Sequence, residues 1–523
     1  MKLSLNLLVS FLIGCELNHN SVNARLDDAT IASYKSSFEA NGGKVLTATD
    51  ADYATYTTPW NSLCTDRPYV VFVPATNEDI QKIFIDLRDE DEEFNVMAGG
   101  HNWDCEALTT GVLINMALFN RLDVDYTNEV ITLGPGVTWD TVYHELKDSG
   151  YLAIGGLCPT VGISGFTLGG GFNWFLSAFY GTSAENTISI DVLLASGEIV
   201  TATRDNEYAD LAWGLLGSGR GQFGIVLEFR IKIFPDPGYT HLFIPYTITD
   251  DENIVDPSNG VYHVNQYLDI YKTWVEAVNM IKDDDAVGAI AMNTNRDFTG
   301  GTDSPRSYLF FVAGVFNQVK NWTDMGSMME VVDTYPPAGF YQTHFDQWYT
   351  MAYTLFAPAW MQYPISTWAG QLAFLTDFDE DTIETHGKSM VPLDQDDADT
   401  YATGTHLESF LIKGAVKNKT LTSVGNADFE WKLARFYLEP PSSAVDEVFD
   451  ELKDWNKRIK KVAGKDYLGG YINYGDPTLK TKYYYGENLK KLRKIKKKYD
   501  KDNVFEAKQG VKSKKGKGKK SGH

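Results

Sequence analysis

The chain has 523 residues and a formal net charge of −23. Hydrophobic residues make up 43% and charged residues 22%, which is ordinary for a globular protein and excludes a wholly disordered, collagen-like or coiled-coil chain. The length predicts about two to four structural units. The excess of carboxylates argues against a nucleic-acid partner, because phosphates would be repelled.

The first residues have the pattern of a secretory signal peptide. Lys2 precedes a mostly apolar stretch from Leu3 to Gly14, which is too short to cross a bilayer. Small or branched residues before the expected processing site predict cleavage after Ala24, and therefore a secreted, extracellular protein. A bacterial lipoprotein site that uses Cys15 is the second interpretation. No later stretch is apolar for long enough to span a membrane.

The cysteines give an odd number once the leader is removed. Cys64, Cys105 and Cys158 remain, so two can pair while the third is free, intermolecular or attached to another group. The triplets that begin at Asn321 and Asn418 fit the N-glycosylation pattern of a secreted chain.

The mature chain then alternates between predicted strands and helices. Strands are predicted at 69–73, 94–97, 112–115 and 129–133, and helices at 76–90 and 138–149. The helix at 76–90 has an acidic first turn, as a helix N-terminus favours. Ser196-Gly197 separates two further strands as a hairpin turn. This alternation predicts an α+β or α/β fold.

Glycine and aromatic content mark the later regions. Residues 155–175 are dense in glycine, and a GxGxxG pattern occupies 219–224. Because that pattern precedes a β-alternating run at 224–234, it predicts a turn before a strand rather than a dinucleotide-binding motif. Longer aromatic segments from about 240 to 462 predict a second domain. Residues 512–523 are basic and of low complexity, which predicts a disordered tail.

Two glycine-containing segments carry residues with distinctive chemistry. Gly99-Gly100 precede His101, so backbone amides at this point can approach a phosphate closely. Residues 156–165 place Cys158 beside a proline turn and a second glycine-rich loop. Singly, the first is an ordinary turn histidine and the second a small buried residue. The informative feature is that both occur, 57 residues apart.

Together these segments resemble the berberine bridge enzyme-like group of FAD-linked oxidases, in the vanillyl-alcohol oxidase superfamily. Further motifs agree with the family in order along the chain. They are PYVVFVP at 68–74, GGGF at 169–172, DLAW at 210–213, GQFGIV at 221–226, YINY at 471–474 and YGEN at 485–488. The resemblance covers about 55–236 and 466–511, and the middle third matches only loosely.

The resemblance implies an α+β fold, in which a two-subdomain PCMH-type FAD-binding domain carries an inserted substrate domain of antiparallel sheet plus helices. It divides the chain into a signal peptide (1–24), the first part of the FAD-binding domain (25–236), a substrate-binding domain (237–465), the C-terminal part of the FAD-binding domain (466–511) and the basic tail (512–523).

The resemblance also implies bicovalent FAD. His101 matches the histidine joined to the flavin 8α-methyl carbon, and Cys158 matches the cysteine joined to C6, which leaves Cys64 and Cys105 to form one disulfide. No metal is implied. The other cofactor contacts implied are Ala98, Gly99, Gly100, Asn102, Thr160, Val161, Gly162, Gly165, Gly170, Asn186, Ile225, Val226, Tyr471 and Asn473.

The chain departs from the family pattern at several of these positions. Met97-Ala98 stand where the family usually has Arg-Ser, so a cation and a hydroxyl near the pyrophosphate are missing and backbone amides would carry that contact. Phe166 stands where a histidine is frequent, and Glu185 where an aspartate is usual.

Oxidation of an alcohol by flavin requires a base for the hydroxyl proton and a hydride acceptor. The family position of Tyr471 makes it the candidate base, provided that its neighbours stabilise the phenolate, because a free tyrosine has a pKa of about 10. Glu408, in the substrate domain, is the alternative base. In the family, valine at the position of Val161 accompanies oxidases and leucine accompanies dehydrogenases, which favours O2 as acceptor and H2O2 as product.

The aromatic content of the middle region is the basis for predicting the class of substrate. The flat faces of its aromatic residues would stack on sugar rings, although packing in the core is the default for such residues. The aromatic residues concerned are Trp348, Tyr349, Tyr353, Trp360, Tyr363 and Trp368. The prediction is a secreted, monomeric carbohydrate oxidase whose partners are a small molecule and O2. The alternatives are a secondary-metabolite oxidase of the same family and a non-catalytic flavin-binding protein.

Overall fold

The computed structural model describes residues 25–249, 251–281, 287–294, 306–316, 326–351, 353, 368–389, 404–412, 415–438, 445–476 and 478–513. The predicted signal peptide, the Asn321 triplet and most of the predicted basic tail lie outside these ranges. Within them, no helix is long and apolar enough to cross a membrane.

A four-stranded N-terminal sheet opens the fold. Its strands, in spatial order, are Lys44–Leu46, Val70–Val73, Val112–Asn115 and Phe94–Met97, with the first antiparallel and the rest parallel. The helices that cover it are Asp28–Ala40 and Asn77–Asp89. The Thr76 hydroxyl caps the second helix by accepting the Asp79 amide at 3.1 Å. The predicted strand–helix–strand pattern is therefore confirmed.

A five-stranded central sheet follows, and all its pairs are antiparallel. Its strands, in spatial order, are Leu122–Asp125, Val130–Leu133, Ile225–Lys232, Thr187–Leu193 and Ile199–Thr203. Gly197, at φ +88°, lies in the turn of the predicted hairpin. The GxGxxG segment ends where the long strand at Ile225 begins, so the prediction of a turn before a strand is also confirmed.

The predicted helix at 138–149 is shorter in the structure. It spans Trp139–Leu146, because Lys147 takes extended backbone angles (φ −55°, ψ 133°). The chain then runs through Gly150, at φ +79°, into the short strand Tyr151–Leu152, which pairs with Phe234–Pro235. The helix stops one turn early, and Gly150 serves the strand that follows rather than the helix end.

The middle of the chain forms a large sheet of nine strands within the described residues. In spatial order they are Val261–His263, Tyr239–Thr249, Arg306–Phe316, Val287–Thr294, Gly404–Leu411, Trp431–Leu438, Trp368–Leu375 and Tyr467–Gly469, with Tyr341–Phe345 also paired to the second. All pairs are antiparallel except the first.

Three helices cover one face of this large sheet and leave the other face open to the central sheet. They are Val264–Ile281, Glu380–Lys388 and Val445–Ala463. Side chains alternate between the two faces along each strand. Trp431 and Leu433 pack in the cluster with the helices, whereas Phe410 and Ala434 belong to the cluster that includes the central sheet. The second face therefore presents its side chains to the central sheet.

The chain finally returns to the first part of the molecule. After Tyr467–Gly469 the helix Leu489–Tyr499 contacts the helix Ala209–Ser218. The Lys496 ammonium group is buried here and donates to Asp500 Oδ2 at 2.7 Å and to the Phe505 carbonyl at 2.6 Å. The other α-helices of the described residues are Tyr53–Thr57, Ile163–Leu168, Ser177–Tyr180, Ser183–Asn186, Gly326–Thr334, Trp348–Met351 and Lys482–Tyr485.

Candidate functional site

A deep cavity lies where the N-terminal sheet, the central sheet and the large sheet meet. Its atom-free space is about 2170 Å³ with the open mouth included. Its walls include residues 98–103, several residues of the 156–168 segment, Ile225 and Val226, and residues 471–474. Thus segments that are far apart in sequence, and that were singled out for their motifs, share one cavity.

Two glycines bring the His101 loop and the Cys158 loop into contact. A Cβ atom on Gly99 would lie 2.6 Å from the Gly162 Cα, and one on Gly162 would lie 2.8 Å from the Gly99 Cα. Real Cβ atoms do not approach so closely, so both positions require glycine. Gly100, at φ +63°, then turns the chain into His101.

His101 and Cys158 meet at one end of the cavity. The His101 Nε2 lies 3.6 Å from the Cys158 Sγ and 3.1 Å from the Thr160 Oγ1. The Trp60 ring stacks on the imidazole with centroids 4.3 Å apart. Cys158 is the free cysteine of the described residues, because Cys64 and Cys105 form a disulfide, the pairing that the resemblance implied.

The protein environment keeps both of these nucleophiles uncharged. Burial lowers the pKa of His101 to about 3, so its imidazole is neutral at pH 7 and retains a free lone pair. Burial raises the pKa of the Cys158 thiol, while hydrogen bonding to Thr160 opposes that shift. The neutral imidazole keeps the lone pair that a nitrogen nucleophile needs, whereas a cysteine reacts as its thiolate and would first have to lose its proton.

The buried hydroxyl group of Tyr471 accepts hydrogen bonds from two donors. Its side chain is 4% exposed, and its hydroxyl oxygen accepts the Gly171 amide at 3.2 Å and the Asn473 Nδ2 at 2.9 Å. Burial raises the pKa of Tyr471, and the donated hydrogen bonds act against that rise. Asn473 also donates to the Phe166 carbonyl at 3.0 Å, which fixes its orientation.

Most of the other residues implied by the resemblance line the same cavity. Among them are Ala98, Asn102, Val161, Gly165, Ile225 and Val226. Thr160, Gly170 and Asn186 do not line it: Thr160 contacts His101, Gly170 packs near Val424, and Asn186 donates to backbone carbonyls at 180 and 182. Glu408 lies in the large-sheet strand Gly404–Leu411, opposite Ala434.

The middle-region aromatic residues have different positions from those expected of a sugar platform. Trp348 is 2% exposed and belongs to the core. Tyr349 and Tyr353 stack on each other with centroids 4.5 Å apart, and both contact His144 of the helix Trp139–Leu146. These three residues therefore join two parts of the molecule and do not line the cavity. Trp360, Tyr363 and the side chain of Trp368 lie outside the described part of the chain.

A buried lysine behind the cavity wall is a feature that the sequence reasoning missed. Lys432 is fully buried, and its Nζ lies 4.0 Å from the ring centroid of Trp174, 4.1 Å from that of Phe410 and 4.9 Å from that of Tyr474. The three rings line the cavity. The available signal was a lysine inside the apolar alternation of the strand Trp431–Leu438.

Arg220 was also missed, because its partners are distant in sequence. Its side chain is 4% exposed, and its guanidinium group binds Asp104 Oδ2 at 2.5 Å and Glu106 Oε2 at 2.8 Å. Those carboxylates flank Cys105, and Glu106 also accepts the Lys508 amide at 2.5 Å. Arg220 thus ties the loop that follows His101 to the glycine-rich turn and the C-terminal segment.

The composition of the cavity fits a flavin dinucleotide. A Cβ on Gly165 would meet no atom within 4 Å, so the first turn of the helix Ile163–Leu168 faces open space. Backbone that approaches a ligand closely, with neutral His101 and Cys158 at one end, suits a diphosphate and a ring system open to attachment. Within the described residues, no cluster of three or more His, Cys, Asp or Glu is arranged to hold a metal ion.

Two protein-family models match the chain. Residues 68–203 match one described as "FAD binding domain", and residues 470–512 match one described as "Berberine and berberine like". The matched segments include the motifs of both the His101 and Cys158 loops and the YINY segment.

Two relatives in sequence illustrate the likeness. FAD-dependent monooxygenase AOL_s00215g279 of Arthrobotrys oligospora is 36% identical over 176 residues, which are 33% of this chain and only 34% of that relative. The uncharacterized FAD-linked oxidoreductase YvdP of Bacillus subtilis is 24% identical over 486 residues, covering 90% of this chain and 98% of YvdP.

A solved structure extends the likeness over nearly the whole fold. The carbohydrate oxidase from Microdochium nivale, in complex with a substrate analogue, superposes with a TM-score of 0.73 at 21% identity, covering 92% of this chain and 99% of that one. At that identity the superposition establishes the fold and not the substrate. The two matched domains and this fold lead to one conclusion: the chain contains an FAD binding domain at 68–203 and a berberine-like segment at 470–512, within the fold of the Microdochium nivale carbohydrate oxidase.

Proposed function

We propose that the protein is a secreted oxidase that converts an alcohol carbon of a carbohydrate to a carbonyl while O2 is reduced to H2O2. When bound, FAD supplies the hydride acceptor. The observation that carries the proposal is the convergence of His101, Cys158 and Tyr471 on a single cavity. In the balanced reaction the alcohol loses two electrons and two protons, and both are recovered in H2O2.

His101 and Cys158 are proposed to hold the cofactor covalently. Their reactive atoms are 3.6 Å apart at the same end of the cavity, so one ring system can reach both. The lowered pKa of His101 leaves its lone pair available at neutral pH. Two attachments would fix the ring against the Trp60 side of the pocket and resist its loss.

Tyr471 is proposed to accept the substrate hydroxyl proton. Its oxygen receives two N–H donors, and these would stabilise the phenolate, which is the form of Tyr471 that can accept the substrate proton. Because burial holds its pKa above the ordinary value, Tyr471 is protonated at neutral pH and its activity as a base should increase with pH. Glu408 is the alternative base.

The aromatic side of the cavity supports a sugar substrate. The aromatic rings of Trp103, Trp174 and Tyr474 line the cavity, and the Lys432 cation lies over the rings of Trp174 and Tyr474. Sugar rings pack on such faces, and the fold is shared with a carbohydrate oxidase. Val161 lines the cavity as well, and its small side chain would leave space for O2. A secondary-metabolite oxidase is the second candidate, because the fold is also shared with CrmK, a flavoenzyme involved in caerulomycin biosynthesis.

The test begins with the full-length protein and its flavin. After acid precipitation the flavin should stay with the pellet, and peptide masses should carry FAD on both His101 and Cys158. In the Cys158→Ala variant, attachment through His101 should persist. Flavin that is released entirely into the supernatant would contradict covalent attachment.

The substrate is tested by anaerobic mixing with a panel of mono- and oligosaccharides. Bleaching of the oxidised flavin spectrum, followed by H2O2 formation on admitting air, is the expected result. Bleaching only by non-sugar alcohols would favour the secondary-metabolite oxidase. No bleaching by any alcohol, with the flavin intact, would favour a non-catalytic flavin-binding protein.

A further inference from the structure

Positive charge is concentrated at the C-terminal end of an otherwise acidic protein. Seventeen of the chain's 47 Lys and Arg residues lie within residues 480–523, against four of its 70 Asp and Glu residues. The rest of the chain is therefore more acidic than the net charge of −23 indicates. A solvated surface normally mixes both signs, so this separation of charge calls for a physical reason.

The helix Leu489–Tyr499 presents much of this charge on one face. Leu492 and Ile495 are buried and anchor the opposite face to the protein. The side chains of the basic face are exposed and are defined as Lys490, Arg493, Lys494 and Lys497.

Within the part of the chain that the structure describes, no carboxylate neutralises the basic face. Lys498 pairs with Asp210, and Lys491 lies 3.5 Å from the ring centroid of Trp213, so those two cations have partners. The four residues of the basic face have no ion-pair partner among the described residues. Like charges at i,i+4 spacing, such as Lys490 with Lys494 and Arg493 with Lys497, destabilise a helix by about 0.2–0.5 kcal/mol per pair. An anionic partner would relieve that repulsion.

The shape of the basic face suits an extended polymer rather than one small anion. From Lys490 to Lys497, the basic face extends over eight positions, or roughly 10 Å at 1.5 Å per residue on a helix. Five further lysines occur in sequence after residue 513. Regularly repeated negative charges could engage such a row successively, each contact adding to affinity.

The side chains of the basic face and the compartment of the protein indicate which anionic partner the face binds. The exposed face carries no apolar side chain for insertion into a lipid surface. Three of its four cations are lysines, which lack the bidentate fork that favours phosphate. The Cys64–Cys105 disulfide belongs to an oxidising compartment, where polyanions are carboxylated or sulfated polysaccharides. We propose that the basic face binds an acidic polysaccharide.

This surface is separate in its chemistry from the flavin cavity. Its four residues are absent from the cavity lining, and binding there requires no turnover. The proposal therefore does not rest on the proposed oxidase function. If both hold, the basic face would keep the enzyme close to the polymer network in which its soluble substrates arise.

The test uses the full-length, flavin-containing protein on columns of immobilised heparin and polygalacturonate, with neutral dextran as the blank. The wild type should be retained by both acidic polymers at low salt and released as salt rises. The variant Lys490→Glu/Arg493→Glu/Lys494→Glu/Lys497→Glu should bind at least about tenfold more weakly, because four cationic contacts are removed. Unchanged flavin content and circular dichroism would show that it folds.

The helix Val445–Ala463 offers a control with the same charge change. Its exposed Lys453, Lys457, Arg458 and Lys461 are also three lysines and one arginine, and their replacement by Glu should weaken binding much less. An equal loss in both variants, or no retention of the wild type, would overturn the proposal. Preferential binding of double-stranded DNA or of phosphatidylserine vesicles over both polysaccharides would also overturn it, in favour of that partner.

Discussion

The two walls of the cavity are built from different parts of the polypeptide. On the cofactor side the wall is largely backbone, with Gly99 against Gly162 and the open first turn at Gly165. On the large-sheet side the wall consists of side chains, with Phe410 and, behind it, Lys432. A backbone wall keeps its shape when neighbouring side chains change, whereas a side-chain wall can be altered one residue at a time. The first suits a constant cofactor and the second a variable substrate.

Breaking the backbone wall should have the largest effect. In Gly99→Ala the new Cβ would lie 2.6 Å from the Gly162 Cα, so the His101 and Cys158 loops must separate. We expect this variant to lose covalent flavin, measured as flavin absorbance per protein and as FAD-bearing peptide mass. Ala98→Ser adds one atom to the adjacent residue and serves as the control, which should keep its flavin. Normal loading of Gly99→Ala would show that close contact of the loops is unnecessary.

A change at the junction of the two walls should spare the cofactor but slow the chemistry. Tyr471→Phe keeps the ring and its contact with Phe172 at 5.0 Å but removes the hydroxyl. Flavin reduction in stopped flow should slow by about 10²–10⁴-fold, the usual contribution of a positioned acid–base group. Tyr474→Phe is the matched control and should lose much less.

The pH dependence sharpens the same prediction. Because burial raises the pKa of Tyr471, the wild-type rate should climb as pH rises from neutral, and this rising limb should vanish in Tyr471→Phe. Wild-type rates in the variant would shift the assignment to Glu408. Loss of flavin instead would identify Tyr471 as a structural residue.

Arg220 stabilises the loop that follows His101, and it can be replaced without changing the cavity glycines. Arg220→Gly suits the local φ of +63° but leaves two buried carboxylates without their cation. Breaking such a pair should lower the free energy of unfolding by about 3–5 kcal/mol, measured by denaturant titration.

The pH dependence of that loss has a definite sign. Burial already raises the pKa of Glu106, and without the Arg220 cation this carboxylate should take up a proton in the folded state, so the loss should shrink as pH falls and grow as it rises. Arg220→Lys is the control, because it restores the charge without the two-pronged geometry. A loss that is independent of pH would point to packing rather than to charge.

The smallest expected effect concerns oxygen. Val161→Leu adds one methylene group to a residue that lines the cavity. We expect reoxidation of the reduced flavin by O2 to slow by about tenfold, equivalent to about 1.4 kcal/mol in the barrier, while anaerobic reduction by substrate stays unchanged. Val161→Ala should leave reoxidation at the wild-type rate, and an equal slowing there would show that space is not the cause.

Local features of the fold were predictable from the sequence, and distant contacts were not. The helix after Thr76 and the turn at Gly197 follow from capping and glycine conformation over a few residues. The salt bridge from Arg220 joins residues 116 positions apart, and no local pattern encodes it. Lys432 reads as an ordinary polar residue in a strand until the sheet register places it beside Phe410.

At the candidate site, too, the positions of the aromatic residues depend on distant contacts and could not be predicted from the sequence. A cluster of Trp and Tyr at 348–353 has the composition of a sugar platform, but its location depends on how the large sheet packs on the helix Trp139–Leu146. Motifs of glycine, histidine and cysteine were informative because backbone geometry restricts them. Aromatic composition was not, because core and cleft use the same side chains.

The disulfide has a practical consequence for producing the protein. Cys105 lies between Asp104 and Glu106, only four positions after His101, and its bond to Cys64 holds this loop in place before any cofactor arrives. Material made in a reducing bacterial cytoplasm would lack that bond, so we expect it to emerge pale and only partly flavinylated. Export to the periplasm or secretion from a eukaryotic host should yield uniformly yellow enzyme from the same gene.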